Sequence, residues 1–346
     1  MSIRTPRSLG FRMPAEWEPH EATWIAWPHN REDWPGRFAP IPWVYGEIVR
    51  KLSRVERVRI LVENAQVERH ARRVLRKVDA QMEAVEFIER PTNRVWTRDY
   101  GPLFLKNRHG AVALTAWRFN AWAKYDDWQL DAAVPAFVGA GLKLPLFTPQ
   151  MVLEGGSIDV NGRGMLLTTE ECLLSPVQAR NPGMSRAEIE RQLRDYLGAT
   201  RVIWLRRGIA GDDTHGHVDD LARFAGPETV VVASEQDRAD PNYEPLRENA
   251  TLLRAAGLRV VKLPMPRPLI FDGRRLPASY ANFYIANGVV LAPTFNDPND
   301  RVALAMLAGV FPDREVVGIN CTELIWGLGA IHCMTQQQPG NGIDKG

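Results

Sequence analysis

An α/β fold is what this 346-residue sequence predicts. Two patterns carry the prediction. Short β-rich apolar runs recur along the whole chain, and segments with the 3.6-residue apolar period of a helix lie between them. Such alternation belongs to strands joined by packed helices. Composition is the third observation: 45% hydrophobic and 24% charged residues make an ordinary globular mixture. A chain of this length buries roughly 75% of its unfolded surface and needs no disulfide or metal to hold it.

In chain order, the apolar runs predict strands at 58–62, 165–168, 201–205, 230–232, 260–263 and 289–291. Helical periodicity appears at 50–55, 67–78, 186–197, 245–256 and 302–311. Ser185 and Glu188 have the S-x-x-E spacing of a capping box, which places a helix start there. The strand–helix units have loosely similar lengths without a strict repeat, a hint of pseudo-repeated architecture. Length alone allows one large domain or two smaller ones, and a flexible Gly-rich tail is expected from about 339 to 346.

Several function classes are excluded as expectations. Lys plus Arg total 43 and Asp plus Glu 41, so the net charge of +2 shows no basic excess for nucleic acid. No apolar run approaches the about 18 residues of a membrane helix, and the first residues lack the apolar core of a secretory signal. No P-loop and no G-x-G-x-x-G is present, so ATP and NAD are not indicated. Cys172, Cys321 and Cys333 are odd in number and form no C-x-x-C pair. That argues against a disulfide framework or a zinc knuckle and points to a reducing cytoplasm. A homo-oligomer stays open, and the eleven Trp fit a core, a pocket or an interface.

Four segments carry residues suited to chemistry. In Trp96-Thr97-Arg98-Asp99-Tyr100-Gly101-Pro102, Asp99 precedes a Gly-Pro turn and the short apolar run 103–105. It either caps that turn or points into a cavity beside an aromatic wall. In Glu154-Gly155-Gly156-Ser157, the glycines permit close approach or positive φ, either for a plain hairpin or to hold Glu154 rigidly. The run from Gly211 to Asp220 crowds four acids with His215 and His217. A solvated acidic loop seldom carries His-Gly-His, so a site is the stronger reading. His215, His217 and Asp219 resemble the first half of the H-x-H-x-D-H zinc motif, with Asp220 where that motif has His; a binuclear zinc hydrolase would also need further ligands downstream. The alternative is metal-free, with a His general base and a nearby Asp serving a nucleophile elsewhere in the chain. Cys333 follows the small-residue loop Gly327-Leu328-Gly329-Ala330 and is the candidate thiol, whereas a lone Cys elsewhere is more often an apolar filler.

Carboxylates near a thiol disfavour the thiolate. They suit a cationic substrate, because paired carboxylates grip a planar guanidinium and the bound cation offsets their charge. The combination points to attack on a guanidino carbon.

The same residues carry a family resemblance. The stretch 13–21 with Trp24 and Trp27-Pro28, the segment 96–102, Phe119-Asn120-Ala121-Trp122, Glu154 to Ile158, Gly216-His217-Val218-Asp219 and Ile331-His332-Cys333 to Pro339 resemble the agmatine deiminase and bacterial-type peptidylarginine deiminase family. The matches run from about residue 13 to residue 339. The resemblance implies a five-bladed pseudo-symmetric α/β propeller, the pentein fold, as one catalytic domain over 1–346, with no metal and no organic cofactor. It implies a small cationic guanidino substrate and a place in polyamine synthesis. Position by position, it implies Cys333 as nucleophile, His217 as acid and base, Asp99 and Asp219 on the guanidinium, Glu154 orienting His217 or the substrate, and Trp96 lining the pocket. Four positions depart from the family pattern: Arg94 follows Asn93 where an acid is usual, His215 stands two before the site His, and Leu328 and Ala330 interrupt the glycines. Arg94 or Arg118 is expected to repel a distal amine or attract a carboxylate.

Overall fold

The computed structural model describes residues 4–341. Its strands fall into five sheets of three or four, plus one two-stranded hairpin. One pattern recurs in all five. Two strands pair antiparallel, a helix follows, and the next strand returns parallel to the second. Parallel neighbours cannot be joined by a tight turn, so each unit needs its crossover helix.

The first unit pairs Leu103–Asn107 with Val112–Thr115 and crosses through Val134–Leu142 to Leu146–Phe147. The second pairs Asp159–Val160 with Met165–Thr169 and crosses through Arg186–Leu197 to Arg201–Leu205. The third uses Ala222–Gly226, Thr229–Ser234, the helix Tyr243–Ala255 and Arg259–Pro264. The fourth uses Tyr284–Ala286, Val289–Thr294, the helix Asn299–Val310 and Glu315–Asn320. The fifth joins the two ends of the described chain. Gln336–Pro339 pairs antiparallel with His20–Ala26, which continues through the helix Ile41–Leu52 to Arg57–Val62 and then Val85–Glu89. These are the five α/β blades that the resemblance implied. In this arrangement the last strand seals the first blade of the sequence.

Local chemistry explains the elements. The Ser185–Glu188 capping box is formed, and Gly198 ends that helix in the left-handed region. Leu166, Leu167, Val230–Val232 and Val289–Leu291 are buried on both faces, as strands covered by helices must be. Two expectations are corrected. The helix expected at 50–55 occupies Ile41–Leu52 and stops before Ser53. Pro42 sits in its first turn, where proline needs no donor, and its buried stripe is Ile41, Tyr45, Ile48, Val49 and Leu52. Pro339, expected in a frayed tail, is buried in the closing strand opposite His20; residues 342–346 of that tail lie outside the described residues. No helix among the described residues is long and apolar enough to cross a membrane.

The repeat matters for function because of what precedes the first strand of each unit. There the chain makes a short turn: Thr97–Tyr100, Gly155–Ser157, Val218–Asp220, residues 280–281 and residues 331–334. The candidate residues of all four sequence segments lie on or beside these turns. Five repeats thus deliver five short, side-chain-bearing turns to one place.

Candidate active site

The sequence-selected residues converge. Asp99, Glu154, His217, Asp219 and Cys333 are all buried. The His217 ring lies with Nδ1 3.7 Å from Asp99 Oδ1 and 4.0 Å from Asp219 Oδ1, and with Nε2 3.7 Å from Glu154 Oε2. The Cys333 thiol points at Asp219 Oδ2, 3.8 Å away. Cys333, Asp99 and Trp96 line a cavity of about 690 Å³.

Asp99 is held at both oxygens, whereas Glu154 and Asp219 are each held at one and free at the other. Asp99 accepts from the Trp122 indole Nε1 at 2.9 Å and from the Gly156 amide at 3.0 Å. Glu154 Oε1 accepts from Arg180 Nε at 2.8 Å, while Glu154 Oε2 has no hydrogen-bond partner. Asp219 Oδ2 faces His332 Nδ1 at 2.7 Å, while Asp219 Oδ1 is unpaired. Both ring nitrogens of His217 are likewise buried without a hydrogen bond. Buried polar atoms left in this state are costly unless something fills them. Here they border a common space, where the carboxylate oxygens can accept from the N–H edges of a flat cation.

Gly156 marks that space. A Cβ at Gly156 would sit 2.6 Å from His217 Nδ1, 2.7 Å from Asp99 Oδ1 and 3.0 Å from Asp219 Oδ2. Neither Gly155 nor Gly156 has a positive φ. Close approach, and not backbone freedom, demands glycine here. A Cβ at Gly329 would likewise meet the Trp96 ring at 2.7 Å.

The electrostatics agree with a cation site. Burial, then Asp219, Asp220 and Asp99, pushes the Cys333 thiol well above its usual range. Burial raises Asp99 to about 6 against the pull of His217. Burial opposes the Glu154 charge, but Arg180 and His217 hold it at about 2. Burial also opposes the His217 charge, but Asp99, Cys172 and Glu154 raise that imidazole well above its usual value. The resting site therefore holds a protonated imidazole and a protonated thiol.

Four participants carried no sequence signal of their own. Asn282 donates from Nδ2 to Cys333 Sγ at 3.1 Å and to Asp220 at 2.9 Å, while its Oδ1 accepts from the His332 amide at 2.9 Å. Trp122, quoted within a motif but not selected, lies in a run of three left-handed residues, Ala121, Trp122 and Ala123 (φ 47°, 59° and 54°). Such strain in non-glycine residues persists only where the surroundings fix it, and here it aims the indole at Asp99. Arg180 is buried behind Glu154. Cys172, read as a filler, packs in the core and brings its sulfur within 4.8 Å of Glu154 and His217.

Some expectations are not met. His215 does not join His217 and Asp219; its Nε2 lies 3.1 Å from Ser175 Oγ in a separate surface cleft. The zinc arrangement built on the three is therefore not assembled. Two other sets, Glu154–Cys172–His217 and Asp219–Asp220–Cys333, have the atom types and spacing to hold a cation. In each, a carboxylate oxygen is already engaged, by Arg180 or by His332. Arg94 lines the cavity but is paired with Asp127 at 2.8 Å and Asp33 at 3.6 Å, so its charge is spent inside the wall. Arg118 bonds Gln150 and does not line the cavity. Leu328 keeps the left-handed φ of 67° that glycine would adopt freely, which preserves the loop's path.

Comparison with known proteins now decides the family. The model of the Porphyromonas-type peptidyl-arginine deiminase family matches residues 12–339. The chain belongs to that family. It is 40% identical to an agmatine deiminase of Pseudomonas aeruginosa (strain LESB58), over 97% of both chains. It is 39% identical to one of Medicago truncatula, over 97% of this chain and 98% of the relative. Among solved structures, the agmatine deiminase of Enterococcus faecalis superposes with a TM-score of 0.92 at 34% identity, covering 99% of both chains. The C. jejuni agmatine deiminase with substrate bound gives 0.87 at 30% identity, covering 95% of this chain and 96% of that one. An amidinotransferase from Microseira wollei, at 11% identity and a TM-score of 0.54, shares the fold alone. The fold is the five-bladed pentein propeller of this family.

Proposed function

We propose that the protein is an agmatine deiminase, a hydrolase that converts agmatine and water to N-carbamoylputrescine and ammonia. The observation that carries this reading is the set of unpaired carboxylate oxygens and imidazole nitrogens around the space beside Cys333 Sγ. Relatives named agmatine deiminase at about 40% identity over nearly the whole chain support it.

The guanidinium enters between Asp99 and Asp219, which accept its N–H groups, with Glu154 beside His217. Its positive charge offsets the carboxylates that hold the thiol protonated, so the thiol releases its proton to solvent as the substrate binds and the thiolate forms. Cys333 attacks the guanidino carbon, and His217 gives its proton to the leaving ammonia. The S-alkylthiouronium that remains is hydrolysed by a water that His217 deprotonates. The C–S bond breaks and the ureido product leaves.

The outer cavity favours a second cation over a carboxylate. Glu32, Asp33, Asp126, Asp127 and Asp213 line it, against Arg94 and Arg274. Asp33 is nearly buried and its Oδ2 has no hydrogen-bond partner. Burial, with Asp127 adding and Arg94 opposing, lifts it to about 7. A distal ammonium would satisfy that oxygen and hold it ionised; the carboxylate of free arginine would meet like charge. Asp33→Asn is expected to raise KM for agmatine about tenfold or more with a smaller change in kcat, measured by ammonia release. An unchanged KM would remove Asp33 from amine recognition.

The raised Asp99 sets the acid limb. The guanidinium needs its anionic form, and protonation occurs as pH falls through about 6 rather than through the ordinary aspartate range. Accordingly kcat/KM is expected to drop below about pH 6. A plateau reaching down to about pH 4.5 would contradict this role for Asp99.

Incubating the protein with agmatine, free arginine and a blocked arginine peptide, with and without EDTA, tests the reading. Ureido product from agmatine alone, insensitive to EDTA, is expected. Turnover of the peptide instead would move the function to a substituted arginine, and EDTA-sensitive turnover would favour a metal-dependent hydrolase.

A further inference from the structure

The motif at 13–17 has no part in the chemistry described so far, yet it sends Glu16 into the centre of the molecule. Glu16 is buried, and its two oxygens have four partners. Oε1 lies 2.9 Å from Arg223 Nη2 and accepts from the Ile285 amide at 2.8 Å. Oε2 accepts from Arg98 Nη2 at 3.3 Å and faces His332 Nε2 at 2.8 Å. The other nitrogen of the same ring, His332 Nδ1, faces Asp219 Oδ2 at 2.7 Å, and that oxygen is the one nearest the Cys333 thiol. Glu16, His332, Asp219 and Cys333 therefore form one continuous chain from the core to the reacting sulfur.

The two ring contacts impose a proton count. Each needs a hydrogen between nitrogen and oxygen, and a neutral imidazole has only one. With a neutral ring and two carboxylates, one contact would set a nitrogen lone pair against an anionic oxygen. Other groups bear on the balance. Burial and the guanidiniums of Arg223 and Arg98 oppose a second ring proton, Glu16 and Asp219 favour it, and Asp159 lies 3.5 Å behind Arg223. Asp220 and Asp99 add negative charge on the thiol side. Burial and the two guanidiniums hold the ring below the usual imidazole value; two oxygens within 3 Å, each needing a hydrogen from it, act the other way.

We propose that Glu16 is a positioning residue for the thiol chemistry: through His332 it fixes Asp219 and keeps the ring doubly protonated, so that a positive charge lies beside Cys333. The inference rests on Cys333 being the nucleophile. Asp219 Oδ2 is thereby committed to the ring and Asp219 Oδ1 is left for the guanidinium. The imidazolium also offsets part of the carboxylate charge that burdens the thiol.

Glu16→Gln separates this role from a merely structural one. Its amide oxygen still accepts from Ile285, and its N–H donates to His332 Nε2, so a neutral ring is satisfied with its orientation kept. The ring's second proton should be lost. Nitrogen NMR of histidine-labelled protein at pH 7 is expected to show His332, assigned by its loss in His332→Gln, with two ring N–H groups in the wild type and one in E16Q. Iodoacetamide labelling of Cys333, followed on the Cys333 peptide, is expected to shift to higher pH by about one unit in E16Q, with kcat/KM about tenfold lower. A neutral His332 in the wild type, or an E16Q protein with unchanged labelling profile and activity, would overturn the proposal. The wild-type spectrum decides the proton count even where E16Q does not fold. Absence of agmatine turnover in a wild type that still shows the imidazolium and the labelling shift would instead strike at the proposed reaction.

Discussion

Cys333→Ser will lower kcat for agmatine by at least about 10⁴-fold while leaving the fold intact. The serine hydroxyl fits the same volume, and Asn282 still has an acceptor, so melting temperature should hardly move. What is lost is ionisation. Burial with Asp219, Asp220 and Asp99 holds the thiol protonated, and in the proposed mechanism the substrate cation is what lets the thiolate form. An alcohol titrates many units higher than a thiol, beyond what one bound cation can supply. Agmatine should still bind, so the variant's Kd, read by calorimetry, should stay within about tenfold of the wild-type KM. Turnover above about 1% of wild type would remove Cys333 from the nucleophile role.

Gly156→Ala will also be damaging, although it replaces no reacting group. The added methyl falls among His217, Asp99 and Asp219, in contacts of 2.6 to 3.0 Å that those groups must yield to. The two carboxylates cannot yield cheaply. Asp99 is tied to Trp122 and to the Gly156 amide itself, and Asp219 is tied to His332. In the proposed binding mode the methyl would also take room from the guanidinium. A loss in kcat/KM of about 10²-fold or more is expected, most of it in KM. Activity within a few-fold of wild type would mean that the cation binds elsewhere.

How far the sequence reached can be read from individual elements. The helix Arg186–Leu197 was legible to the residue because a capping box starts it and Gly198 ends it. The helix Ile41–Leu52 was not, because Pro40, Pro42 and Gly46 obscure a stripe completed by Tyr45. Cys333, His217, Asp99, Asp219 and Glu154 stood out because thiols, histidines and clustered acids beside glycines are chemically conspicuous. Asn282 and Arg180 did not, because an amide or a guanidinium acquires a role only from a partner 51 or 26 residues away in the chain. Arg94 shows the reverse error. A cation near the site looks like a ligand for anions until Asp33 and Asp127 are seen to close on it. The five-fold repeat left only faint length periodicity in the sequence. Its turns share a position ahead of the first strand but carry different residues, since each supplies a different chemical part.

The covalent step is the centre of this account. Mixing the protein with agmatine, quenching in acid within a single turnover and weighing the Cys333 peptide would test it most directly. The account predicts an adduct on Cys333 with the mass of agmatine less ammonia, present in the wild type, absent in Cys333→Ala and decaying as N-carbamoylputrescine appears. Product formed at full rate with Cys333 never modified would contradict it, and would leave the buried thiol as a bystander to attack by water.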